Sequence, residues 1–211
     1  SHGWTHGYAM ALQNAGSATA TYQWYTSDSG NPTGTSIATD DQIMSDKDGY
    51  THSSYLQTLG YAAGIAAKDY TAKDRNGNMI AAPSSTSGWY LPSIGQWYDI
   101  CARLGGMVTA SGKSYTCTDN SSYIRWYSED DNSSKNYSSI CVSNLNAYLN
   151  TLKEKEYSID PFSNNNEHYW SSSEHVSSLA CYVDFNGNGS VYLANNADKV
   201  SSRIARPVIA F

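Results

Sequence analysis

Four cysteines, Cys101, Cys117, Cys141 and Cys181, are the first residues in this sequence whose chemistry could define a function. They include no CxxC pair and no Cys/His cluster of the kind that holds zinc. Four cysteines allow two disulfides, and the sequence does not give the pairing. Cys101 and Cys141 fall on the apolar faces of expected helices, which favours buried free thiols.

Two further segments carry candidate metal ligands. His2 and His6 are four residues apart, but HGWTH lacks the glutamate of HExxH, and its glycines favour a loop or strand. DKDG at residues 46–49 resembles an acidic calcium loop, yet the glutamate that an EF-hand needs about twelve residues later is missing, and Gln57 is the nearest residue. We therefore predict a turn leading into a helix at 46–49 and no metal or other cofactor.

The sequence offers no convincing catalytic set. EDDN at residues 129–132 places three carboxylates side by side, whereas glycosidases need two carboxyl groups facing each other across a cleft, so a solvated loop is favoured. YWSSSE at 169–174 lacks the G-x-S-x-G nucleophile turn, and no glycine-rich phosphate loop follows a strand. These observations predict a protein that is not an enzyme.

The composition of the 211 residues narrows the class of protein. Only 15% are charged, the formal net charge is −6, and 18 Tyr and 6 Trp are too many for a disordered chain. The negative charge and the lack of a basic patch argue against nucleic acid, and no apolar run could span a membrane. Tyr, Ser, Gly and Asn are typical of binding loops, which favours an extracellular β-rich or loop-rich protein.

Hydrophobic spacing predicts three helices, near 53–70, 93–104 and 138–154. Ser93 and Gln96 form an S-x-x-Q capping box at the start of the second helix. NGNG at 186–189 predicts a hairpin turn. Strands are predicted at 8–12, 88–91, 168–172, 179–185, 190–193 and 204–211. The expected architecture is one α+β domain over residues 1–211, with a small twisted antiparallel sheet, two to three helices and long loops.

Three segments carry a family resemblance: SGWYLPSIGQWYDI at 87–100, HYWSSSEHVSSLACYVDFNGNGSVYL at 168–193 and ARPVIAF at 205–211. They resemble a bacterial C-type-lectin-like family that includes formylglycine-generating-enzyme-like domains and their non-catalytic surface relatives. The resemblance implies a C-type-lectin-like fold and places Trp89, Trp97 and Trp170 in its scaffold. We expect Glu174 to be structural, accepting loop amides or pairing with Arg206, and Arg206 to be an anchor at the edge of the core.

The enzymes of this family provide the catalytic alternative. A formylglycine-generating-type oxidase needs reactive cysteines or a metal set in the C-terminal part of the domain, where this sequence has only Cys181. Strand alternation turns Cys181 inward, whereas a nucleophilic thiol needs exposure and a lowered pKa. The non-catalytic branch is therefore favoured.

The C-terminal hairpin resembles the variable region of proteins from gut bacteria that are diversified by retroelements (diversity-generating retroelements). In such proteins a fixed lectin-like scaffold displays changeable residues that bind a partner. Tyr182 and Tyr192 are the expected anchors, because rigid aromatic side chains give a large contact area at little entropic cost. The predicted ligand-binding residues are His175, Val176, Leu179, Tyr182, Asp184, Asn186, Asn188, Ser190, Tyr192, Leu193, Asn195, Asn196, Asp198 and Ser202.

The predicted function is non-catalytic recognition by a secreted or surface-displayed adhesin-like module, the C-terminal part of a longer secreted protein. Its partner is expected to be a protein or glycan on another cell, a phage or a host surface, with neither a nucleic acid nor a membrane span involved. The alternative is a structural subunit of a pilus or fimbria.

Overall fold

The chain has a mixed α+β architecture of helices and small antiparallel sheets. The structure is a computed structural model that describes residues 3–4, 6–26, 30–107, 112–116, 122–126, 136–153, 155 and 157–211. Its helices are α1 (Asp40–Ser45), α2 (Gly49–Thr58), α3 (Ala62–Lys68), α4 (Ile94–Asp99), which continues as a π-helical turn (Ile100–Leu104), and α5 (Tyr137–Lys153). Within the residues that the structure describes, five α-helices therefore replace the two to three that were expected.

The strands are short except in the C-terminal part of the chain. They are β1 (Tyr8–Met10), β2 (Tyr22–Gln23), β3 (Ala72–Lys73), β4 (Met79–Ile80), β5 (Trp89–Tyr90), β6 (Gly112–Thr116), β7 (Ser122–Trp126), β8 (Glu167–Glu174), β9 (Leu179–Phe185), β10 (Val191–Asp198), β11 (Ser202–Arg203) and β12 (Val208–Ala210).

Local sequence signals explain where the helices begin and end. The predicted capping box is confirmed: the Ser93 side chain accepts the Gln96 N–H, and the Gln96 side chain accepts the Ser93 N–H. Asp48 caps α2, so the acidic segment at 46–49 is the predicted turn into a helix. The helix predicted over 53–70 is instead two helices, because Gly60 adopts φ 78° after α2 and turns the chain into α3.

Five strands form the main sheet, in the order β6-β7-β10-β9-β8. A second sheet has the order β1-β12-β5, and it joins the first strand to the last, with Tyr8 opposite Ala210. β2–β11 and β3–β4 form two further two-stranded sheets in the described part of the chain. The ladder between β10 and β9 shifts register between Ala194 and Ala197, which marks a β-bulge in β10.

Two hydrophobic clusters cover opposite faces of the main sheet. The larger one packs Cys181, Val183 and Phe185 of β9 together with residues of α4 and α5. The smaller one gathers Trp24 and Trp170 with residues of α2 and α3 over one end of the other face. Trp97 and Trp170 are fully buried, as their place in the scaffold motifs predicts.

Arg206 anchors the end of the chain inside the protein. It is fully buried, and its guanidinium donates to the carbonyl oxygens of Ala11, Leu12 and Asp160 and to Asn14 Oδ1 over 2.7–2.9 Å. These bonds satisfy a cation whose isolated burial would be costly. Arg206 therefore ties the last strand to the segment that follows β1.

Candidate functional site

The outer face of the C-terminal strands carries two cross-strand rows of side chains. His168, Asp184 and Tyr192 lie opposite one another on β8, β9 and β10. The next row contains Trp170, Tyr182 and Ala194. The smaller hydrophobic cluster covers Trp170 and packs against Tyr182. His168, Asp184 and Tyr192 of the first row are not part of this cluster, and Tyr182 lies at its edge.

Arg203, which belongs to β11, contacts the two aromatic side chains of the second row, Trp170 and Tyr182. Its guanidinium carbon lies 4.4 Å from the ring centre of Tyr182 and 4.7 Å from that of Trp170. At such distances the faces of the aromatic rings attract the guanidinium cation. Burial raises the pKa of Tyr182, opposed by the nearby Arg203, and burial lowers the pKa of Arg203. The tyrosine is thus a neutral hydrogen-bonding group next to a fixed cation.

An imidazole–carboxylate pair completes the face. His168 Nε2 lies 3.2 Å from Asp184 Oδ1, and Asn186 Nδ2 donates to Asp184 Oδ2 at 3.1 Å. The His168 ring meets the Tyr182 ring edge to face, with their centres 5.8 Å apart. We call His168, Tyr182, Asp184, Tyr192 and Arg203 the display face. It combines aromatic, acidic and basic groups on rigid strands.

The predicted binding residues differ widely in exposure. The exposed ones are Val176, Asn188, Asn196, Asp198 and Ser202. Those of intermediate exposure are Leu179, Tyr182, Asn186 and Tyr192. Those buried are His175, Asp184, Ser190, Leu193 and Asn195.

Asn195 and His175 were predicted to face solvent, but the loop that precedes α1 covers both. Asn195 Nδ2 donates to Ile37 O, and Ser36 Oγ donates to His175 O, so this loop lies over both residues. The β-bulge in β10 also breaks the alternation on which the prediction relied.

Two other placements are corrected by simpler contacts. Leu193 is two residues after Val191 and shares its core-facing side. Ser190 is buried in the turn against the start of α5, where Ser138 N–H donates to Gly189 O. Asp184 lies on the predicted outer side of β9, but it is buried there by its pair with His168 and Asn186.

Sequence reasoning missed the partner of Glu174. Glu174 and Lys199 are both fully buried, and Lys199 Nζ lies 2.7 Å from Glu174 Oε2, so the expected pairing with Arg206 is wrong. Glu174 Oε1 also accepts the backbone N–H of Thr33, which matches its expected role as an acceptor of loop amides. Lys199 lies in the turn that follows β10, where period-2 alternation gives no signal, so the sequence could not have revealed this pair.

His168 and Arg203 were also missed. His168 precedes the quoted YWSSSE motif, and its outward position follows from alternation with the buried Tyr169. Arg203 belongs to a two-residue strand that no period-2 pattern could reveal.

The chemical alternatives find little support in the described residues. Within them, no group of three or more His, Cys, Asp or Glu side chains could hold a metal ion. Cys181 is fully buried, and burial raises the pKa of its thiol, which disfavours a nucleophile. Among the helices described, none is both long and apolar enough to cross a membrane. His2, Cys117 and the EDDN segment lie outside the described residues.

A cavity of about 510 Å³ lies elsewhere, between α3, the β3–β4 pair and the loop around Gly16. Tyr22, Ile65 and Met79 are among its lining residues. None of the predicted binding residues lines it. The display face is therefore separate from this cavity.

Comparison with known proteins gives no relative: no protein family, no curated protein and no solved structure matches this chain.

Proposed function

We propose that this protein is a non-catalytic recognition module that binds a protein or glycan on the surface of another cell, a phage or a host. The observation that carries the proposal is the display face. Two partly exposed tyrosines and an arginine, residue types enriched at binding hot spots, are held on strands whose opposite side is core. A ligand there would meet preorganised aromatic and charged groups.

The fold that best suits this role is the C-type-lectin-like one. Its quoted motifs, which are far apart in sequence, contact each other: Trp97 Nε1 donates to Trp170 O at 3.1 Å, and Ser172 N–H donates to Pro92 O at 2.8 Å. Pairing of the first and last strands is also consistent with that proposal. We further propose that the protein is secreted or displayed on the cell surface.

The proposed diversification of the hairpin can now be limited to fewer positions. Changes at Asn195, Leu193 or Ser190 would disturb buried contacts, whereas Tyr192, Asn196 and Asp198 can change without unpacking the core. A nearby reverse-transcriptase gene with a template repeat of this hairpin would support diversification. Variation concentrated at the buried positions would contradict it.

Tyr192→Ala is the sharpest binding test, because Tyr182 also packs against Arg203 and its loss would disturb the scaffold. On an array of glycans and surface proteins, we expect Tyr192→Ala to weaken binding about tenfold or more. Tyr148→Ala, at an exposed tyrosine of α5, is the matched control and should bind like the parent. Binding that survives Tyr192→Ala and Tyr182→Ala alike would show that the display face is not the site.

A further inference from the structure

Two of the buried cysteines lie against each other in the larger hydrophobic cluster. Cys101 belongs to the π-helical turn and Cys141 to α5, and both are fully buried. Their side chains are within hydrogen-bonding contact. A side chain on Gly105 would overlap Cys141 Sγ and the carbonyl oxygen of Cys101, so the glycine leaves the room in which the two cysteines meet.

We propose that Cys101 and Cys141 form a disulfide when the protein folds under oxidising conditions. Cys181 is buried as well, but among the described residues the charged groups that act on its thiol are Asp46, Glu174 and Lys199, and neither Cys101 nor Cys141 is among them. The bond would cross-link the π-helical turn to α5. Cys101 and Cys141 are thus the pair that the fold selects from the described cysteines.

The chemistry needs a disulfide-carrying oxidant such as oxidised glutathione. One cysteine thiolate attacks an oxidant sulfur and forms a mixed disulfide, and the second thiolate then displaces the remaining oxidant sulfur. Two protein thiols become one S–S bond, while the oxidant disulfide is reduced to two thiols that take up the two protons.

The timing of this step follows from burial. Contact with the Cys141 thiol and burial both raise the pKa of Cys101, so the folded protein holds little of the reactive thiolate. Oxidation therefore precedes the packing of α5. Once folded in the reduced form, the pair is expected to resist oxidation.

The cross-link would close a loop of about 40 residues. That loop contains β6 and β7, which extend the main sheet beyond β10. The disulfide would therefore hold together the two ends of the segment that contains β6 and β7. β7 pairs with β10, the strand that carries Tyr192. From the loop length, the oxidised protein should melt about 10 °C above the reduced one.

Peptide mapping decides the matter, because trypsin places each cysteine in a separate peptide: residues 76–103, 114–125, 136–153 and 156–199. The protein is unfolded, reduced and refolded in a glutathione redox buffer, and its remaining thiols are then alkylated in denaturant, so that buried thiols such as Cys181 also react. We expect peptide 76–103 to be joined to peptide 136–153, and Cys181 to be alkylated. Alkylation of both Cys101 and Cys141, or linkage of either to Cys117, would overturn the proposal.

Variants give an independent readout. Cys101→Ala should abolish the redox-dependent shift in melting temperature, whereas Cys181→Ala, at another buried cysteine, should retain it. If either variant fails to fold, the peptide map of the parent protein still decides. The peptide map requires no ligand, so it tests the disulfide independently of the proposed binding function.

Discussion

At the scale of single residues, Lys199 shows how a charged side chain can be buried when each of its ammonium hydrogens has an acceptor inside the protein. Its Nζ donates to Glu174 Oε2, Gly30 O and Ser177 O over 2.7–2.9 Å, which uses all three ammonium hydrogens. It also lies 4.9 Å from the ring centre of Trp24. The pair holds the loop before α1 against the C-terminal hairpin.

Lys199→Met should destabilise the protein by about 3–5 kcal/mol, because it leaves the Glu174 carboxylate buried without its cation. The free energy of unfolding from urea titration measures this loss. Lys68→Met, at the exposed end of α3, is the control and should change stability by less than about 0.5 kcal/mol. Adding Glu174→Gln to Lys199→Met should recover part of the loss, and a single variant as stable as the parent would contradict this account.

At the scale of elements, α1 and α4 approach each other through a glycine. Gly95 N–H and Ser93 Oγ both donate to Asp46 O, at 3.1 and 2.7 Å, where α1 ends. A side chain on Gly95 would overlap that carbonyl oxygen. The close contact fixes the turn that leads into α2.

Gly95→Ala should therefore cost about 1–3 kcal/mol through overpacking, even though alanine favours a helix over glycine by about 1 kcal/mol. Asn150→Ala, on the exposed side of α5, is the control and should be neutral or slightly stabilising. Thermal unfolding followed by circular dichroism measures both. A Gly95→Ala variant that melts at or above the parent temperature would show that the two helices can move apart.

The sequence predicted the long periodic elements and the local caps well. The spacing of apolar residues located α5 and β9 closely, and the Ser93 capping box marked the start of α4 correctly. It missed α1, a six-residue helix too short to show a periodicity, although Thr39 and Gln42 form a capping box there.

The candidate site was predicted less completely, for a physical reason. Period-2 alternation assigned Tyr182 and Tyr192 correctly to the outer side, but it could not foresee a bulge or a loop from residues far away in sequence. Ile37 lies more than a hundred residues before Asn195 and still covers it, through a bond between Ile37 O and Asn195 Nδ2. Long-range contacts of this kind follow from the tertiary structure alone.

At the scale of the whole molecule, buried tyrosines connect stability to pH. Burial raises the pKa of Tyr8 and Tyr169, and in Tyr8 the hydrogen bond to Asp99 adds to this. The pKa of the partly buried Tyr61 is also raised, to about 12, by desolvation and by its hydrogen bond with Tyr25. In the unfolded chain each phenol ionises near pH 10. The folded state therefore binds more protons than the unfolded state above that pH, so stability falls as pH rises.

We expect the urea midpoint to be steady up to about pH 9 and to fall from about pH 10 upward. Tyr8→Phe removes one raised group and should reduce this fall by about 1 kcal/mol per pH unit. Tyr148→Phe, at an exposed tyrosine, is the control and should keep the parent slope. Equal slopes for Tyr8→Phe and the parent would show that Tyr8 ionises alike in both states.

The pairing of β1 with β12 also sets the order in which the chain can fold. Tyr8 needs Ala210 as its partner, and the carbonyl groups of Ala11 and Leu12 need Arg206. Contacts between such distant residues form slowly, because a long loop must close before any of them stabilises the chain. During N-to-C synthesis, β1 must therefore wait for residues 206–210. Until those residues are available, Tyr8 and the carbonyl groups of Ala11 and Leu12 lack the partners that hold them in the folded protein, so β1 is fixed late in folding.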